Sequence, residues 1–134
     1  MAEAAVRKAR PKHLNLMQIR LPLPGFVSIL HRVSGIGLFL CLPVLIALFG
    51  ASLGTPEQLE GYRAAMAFTV MGLPVLKLLL LGLLWAYLHH FCAGIRFLLL
   101  DMHIGIDLVP ARISAVAVLS LSLSLTLVLG VLTW

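Results

Sequence analysis

The chain has 134 residues, 61% of them hydrophobic and only 11% charged, with a mean hydropathy of +1.08. A soluble domain carries about 25% charged residues, so soluble, disordered and fibrous classes are excluded. The net charge of +5 speaks in such a chain to membrane topology before nucleic acid, and Cys41 and Cys92 lie in apolar stretches as small hydrophobes, not as a disulfide framework.

Residues 1–25 are polar, basic and punctuated by proline. They form a cytoplasmic or interfacial lead-in on the membrane surface, with a basic tail held loosely by anionic lipid as the alternative. Leu21-Pro22-Leu23-Pro24-Gly25 cannot lie in a regular helix interior. Residues 26–134 form one transmembrane domain. No charge interrupts Val33 to Pro56 or Ile113 to Trp134, and only Lys77 interrupts Ala64 to Ile95. A spanning helix needs about 20 mostly apolar residues. The expected spans are 26–51, 65–97 and 111–133, with Pro43 and Pro74 inside spans, where a local kink is tolerated. The middle run exceeds a perpendicular crossing and should tilt or project beyond the lipid. The Leu/Ser alternation at 119–125 is read as helix with small polar residues at packing faces.

Arg7, Lys8, Arg10, Lys12, Arg20, Arg32, Arg96 and Arg112 fall on one side of these spans. The N-terminus and second loop should therefore be cytoplasmic, and the first loop and C-terminus periplasmic. Ile36–Phe49 also resembles a signal-peptide core, but the chain keeps Met1, so no cleavage is expected.

Ionisable groups inside a membrane are hypotheses of function. Ser28, His31 and Arg32 share one helix patch at the start of span one. A hydroxyl, an imidazole and a fixed cation could bind a quinone carbonyl or a carboxylate such as a haem propionate. Arg32 alone reads equally as a side chain reaching the headgroups. His90 lies six residues before Arg96, about 9 Å deeper than that interfacial anchor. A neutral imidazole there can ligate haem iron. Gly94, one turn on, would let a flat ring or a helix approach. His89 points about 100° away, so adjacent histidines cannot share one iron. A lone buried His is more often a packing residue, so this signal is weak by itself. Asp101, His103 and Asp107 match no metal spacing and read as solvated loop. Ser34, Gly35 and Gly37 offer a close-packing face. No nucleotide or zinc motif is present in the sequence.

The motifs in order are Arg10-Pro11-x-x-Leu14, Ser28-Ile-Leu-His31-Arg32-Val-Ser-Gly35 and His90-x-x-x-Gly94-Ile-Arg96, followed by Asp101. Together they resemble the cytochrome b subunit of succinate dehydrogenase, a membrane anchor of respiratory Complex II. The resemblance covers nearly the whole chain, and the Ser-x-x-His-Arg block is its more specific part. It implies an all-α, three-span half of a two-subunit haem-binding bundle. The implied partners are a second small anchor, an iron–sulfur subunit, a flavoprotein and the lipid membrane, with no nucleic acid. The implied cofactor is one haem b shared between the anchors, with ubiquinone as substrate. By motif match His90 is the axial haem ligand, Ser28 and Arg32 belong to the quinone site, and His31 with Arg32 faces the haem propionates. The second axial histidine is expected from the partner anchor. Many relatives carry His directly after the Gly-x-Arg arginine, where this chain has Phe97, so any contact of that His is absent or supplied elsewhere. His89 stays an alternative to His90.

The chain alone is not an enzyme in this reading, because no residue here could oxidise a dicarboxylate. The alternative is a haem-less anchor of a related dehydrogenase or fumarate reductase. A small transporter would want an acidic residue within a span, and none has one. The short basic lead-in lacks an organellar transit pattern, so a bacterial inner membrane is expected, with a mitochondrial one second.

Overall fold

The computed structural model describes residues 20–133. The basic cluster Arg7 to Lys12, the Arg10-Pro11-x-x-Leu14 motif and Trp134 lie outside the described residues. The described elements run α1 (Leu23–Ser52), α2 (Pro56–Ala67), α3 (Val75–Asp101) and α4 (Leu108–Thr133). Three of them, α1, α3 and α4, are long and apolar enough to cross a membrane.

Helix α1 starts with proline in its first turn, where a missing N–H is harmless. It continues through Pro43 without a break, as expected of a proline tolerated inside a span. Helix α2 is capped by Thr55, whose side chain accepts from the Gln58 N–H while the Gln58 side chain accepts from the Thr55 N–H.

The second long helix begins ten residues later than expected. The chain leaves α2 at Phe68 and closes a tight turn in which Val70 and Leu73 exchange backbone bonds of 3.0 and 2.9 Å. Met71 and Gly72 take left-handed conformations in that turn, with φ of 52° and 82°. Pro74 is therefore the N-cap of α3 and not an interior proline. A proline disfavours helix in the residue before it, and apolar composition alone does not reveal that break. At its other end α3 runs on to Asp101 and closes with His103 left-handed at φ 62°. The Ile104 N–H bonds to the Leu99 carbonyl at 2.9 Å and the His103 N–H to the Leu100 carbonyl at 2.9 Å, the paired pattern that ends many helices.

Helix α3 lies between α1 and α4 and packs on both. Its inward stripe is His89, Ala93 and Arg96, at the three- and four-residue spacing of one helix face. Helix α4 answers with Ala115, Val118, Ser122 and Thr126. Small residues let helices approach closely where lipid removes the hydrophobic drive for association. Gly130 is a tight case on α4, since a Cβ there would stand 2.8 Å from a Leu81 methyl. Ser122 and Thr126 bond their own backbone at Leu119 (3.1 Å) and Ser122 (2.7 Å). Both hydroxyls are thus satisfied without a partner helix. The remaining apolar side chains, Phe39, Leu127 and Val131 among them, face outward.

Candidate functional site: a histidine pair at the α1–α3 seam

Helix α1 presents Ser28, His31, Ser34 and Gly35 near its start, and α3 presents His90, Gly94 and Phe97 near its end. The two sets meet at the seam. The rings of His31 and His90 stack with centroids 4.1 Å apart and planes 13° from parallel. His90 Nδ1 lies 2.9 Å from the His31 carbonyl oxygen. A carbonyl only accepts, so Nδ1 carries the proton and donates. Ser34 Oγ donates to the same carbonyl at 2.9 Å and lies 3.2 Å from His90 Nδ1, where its lone pair faces that N–H. With the Nδ1 proton engaged in this way, Nε2 is the ring nitrogen left to act as an acceptor or ligand.

One glycine makes the seam possible, and a second lines it. A Cβ at Gly35 would stand 2.8 Å from His90 Cε1, so only glycine lets the ring lie over α1. A Cβ at Gly94 would stand 3.7 Å from His31 Nε2. The edge of the His31 ring is thus in ordinary contact with this position. Phe97 packs on His31 from the far side with centroids 5.1 Å apart.

Ser28 is half-buried and Arg32 exposed on α1. They share the patch with His31, as the helical spacing requires. The sequence did not foretell that the backbone carbonyl of His31, more than its ring, would engage His90. The only signal was Ser34-Gly35 three and four residues after His31.

His89 behaves differently. It is fully buried, beside Trp85 with ring centroids 5.5 Å apart. Neither ring nitrogen has a hydrogen-bond partner among the described residues, nor does Trp85 Nε1. Arg96 has partners that the sequence did not reveal. It is 6% exposed and turns toward α4, where Nε donates to Ser114 Oγ at 2.9 Å and Nη2 to the Ala111 carbonyl at 3.3 Å. Two acceptors on α4 thus hold its side chain against the bundle. Asp101 ends α3, and His103 and Asp107 lie in the turn that follows.

A long α1 whose Ser-x-x-His-Arg patch meets a His-x-x-x-Gly-x-Arg helix is the arrangement on which comparison with known proteins turns. Residues 6–129 match the family of the succinate dehydrogenase/fumarate reductase transmembrane subunit. The chain belongs to this family. It is 33% identical over 125 residues to the succinate dehydrogenase cytochrome b556 subunit of Coxiella burnetii, covering 93% of this chain and 97% of that one. It is 27% identical over 122 residues to the subunits of the same name from Rickettsia felis and Rickettsia typhi, covering 91% of each chain. The resemblance carried by the sequence motifs is borne out, and so is an all-helical fold with three helices able to span a membrane. The bacterial relatives suit a multi-pass protein of a bacterial inner membrane.

The donor set suits a haem iron at His90. Metal-bound histidines typically donate their second ring N–H to a carbonyl or carboxylate, which fixes tautomer and orientation. His90 has that partner in the His31 carbonyl, and Nε2 is the nitrogen left for a metal.

Proposed function

We propose that the chain is a cytochrome b anchor of a succinate:quinone oxidoreductase, binding haem b through His90 and helping to build the site where ubiquinone is reduced. The observation that carries this is the lock on His90, whose Nδ1 proton is held by the His31 carbonyl three residues from Ser28 and next to Arg32. A haem bound there supplies a one-electron redox centre. The chain's own part is to hold His90 in one tautomer, to keep its ring flat against α1 through Gly35, and to present a hydroxyl and a guanidinium on the same patch.

Electrons arrive from an iron–sulfur subunit, itself fed by a flavoprotein that oxidises succinate. The quinone takes two electrons and two protons to become quinol. Reduction places negative charge on the quinone oxygens. Arg32 stabilises that charge but does not give up its proton. Ser28 donates a hydrogen bond to the same oxygen. The protons come from water or from a partner subunit. The basic groups that flank α1 and α4 put the N-terminus and the α3–α4 turn on the cytoplasmic side, where the soluble subunits dock.

The test uses the intact complex. Ser28→Ala and Arg32→Leu should each lower succinate–quinone activity, by roughly 10²–10³-fold for a water-excluded site and less for a wet one. Succinate oxidation by an artificial acceptor that takes electrons upstream should be spared. A parallel fall in both activities would make these residues assembly determinants instead. A purified complex with no reduced-minus-oxidised haem band would point to a haem-less anchor.

A further inference from the structure

On the flank of α3 away from His90, α3 and α4 enclose a groove of about 490 Å³, within the range of about 300–1,000 Å³ for ligand sites. Arg96 and Ser114 are its polar lining, and Pro110, Ala117, Leu100 and Leu121 are part of its apolar wall. The Arg96 guanidinium is drawn to the Ala111 carbonyl, in the first turn of α4. The charge thus sits at the end of the groove nearest the α3–α4 turn. Arg112, exposed on the same turn of α4, adds a second cation at that level.

Arg96 is 6% exposed, and no carboxylate among the described residues pairs with it. A charge so deeply buried is costly unless it meets an opposite charge. Guanidinium offers five N–H donors in a planar fork. Ser114 and Ala111 use two of them. The rest can grip a phosphate in two-pronged fashion. From Ala111 to Leu121 the seam descends ten residues of helix, about 15 Å. That is half of a hydrocarbon core about 30 Å thick, the depth of one leaflet.

We propose that this groove holds one acidic phospholipid from the leaflet level with the α3–α4 turn. Its phosphate lies on Arg96, and one acyl chain follows the seam toward Leu121. A net negative headgroup supplies the missing counter-charge. A zwitterionic lipid brings its own cation and compensates less. The groove lies between α3 and α4, whereas His90 and Gly94 face α1. The Arg96 guanidinium also lies over the Phe97 ring, 5.4 Å from its centroid, so the haem spectrum of each variant is recorded beside its lipid retention.

Native mass spectrometry of the intact complex, delipidated and titrated with phosphatidylglycerol or phosphatidylcholine, tests this. One phosphatidylglycerol per copy should survive detergent that strips phosphatidylcholine. Arg96→Gln should weaken its retention roughly tenfold or more, since hydrogen bonds to charged groups are the strong ones. Ala117→Phe fills the groove without touching the bonds of Arg96, and should weaken retention comparably. If Arg96→Gln does not assemble, Ala117→Phe decides alone. Equal retention of the two lipids, or phosphatidylglycerol bound by Ala117→Phe as by the parent, overturns the proposal.

Discussion

His89 and His90 are adjacent, and one helix step turns them about 100° apart on α3. His89 is fully buried on the stripe that includes Ala93 and Arg96, and His90 lies on α1 with its Nδ1 proton committed to a carbonyl. His90→Ala should therefore abolish or strongly alter the haem absorption of the complex. His89→Ala should leave a low-spin spectrum intact, although it removes two buried nitrogens that lack partners. The reverse pattern would move ligation to His89, and normal spectra in both variants would remove α3 from ligation. Gly35→Ala tests the same seam from the other helix. Its new methyl would meet His90 Cε1 at 2.8 Å, so the ring must shift and its bond to His31 must lengthen. Overfilling of this kind costs about 1–3 kcal/mol. A lower unfolding temperature with a displaced haem band is the expected result, and an unchanged band would show that the ring has room to spare.

At the scale of elements, composition and breakers carried different amounts of information. Three apolar runs were legible because lipid leaves helix as the one solution for an open chain. The Ser28–Arg32 patch was legible because helical spacing alone puts those side chains together. The start of α3 was not, because the turn through Met71 and Gly72 is apolar and blends with the span that follows. The partners of Arg96 were hidden for a related reason. A cation near a span end reads as an anchor, and only packing reveals that Ser114 and Ala111 hold it against the bundle. Helix α2 was also hidden inside the first loop, although Thr55-Pro56-Glu57-Gln58 spells a capping box. Thr55→Ala should destabilise α2 by about 1 kcal/mol. Hydrogen exchange of its backbone amides should quicken several-fold while the haem spectrum stays fixed. Slow exchange retained in the variant would mean that α2 is held by packing and not by its cap.

For the whole molecule, the proposal that His90 ligates a haem leaves the bundle one ligand short. A six-coordinate haem with two histidine ligands needs two imidazoles aimed edge-on at the iron from opposite faces of the ring. His31 cannot be the second, because it lies face to face with His90 at 4.1 Å. Two stacked rings approach a common metal from the same side. Nor can His89 be, because it is fully buried on α3, and a ring one helix step of about 100° from His90 cannot reach the opposite face of the same haem. His103 belongs to the turn after α3, outside the seam. Among the described residues this leaves no second ligand, and the outward-facing apolar side chains of α1 and α3 give a partner helix a surface to join. The missing imidazole should therefore come from another chain. Expressed alone in membranes, the protein should yield no six-coordinate low-spin haem signal by optical or electron paramagnetic resonance spectroscopy. Co-expression with the second anchor should restore it, and changing a single intramembrane histidine of that partner to alanine should remove it again. A full low-spin spectrum from this chain alone would mean that two copies, or a histidine outside residues 20–133, complete the iron.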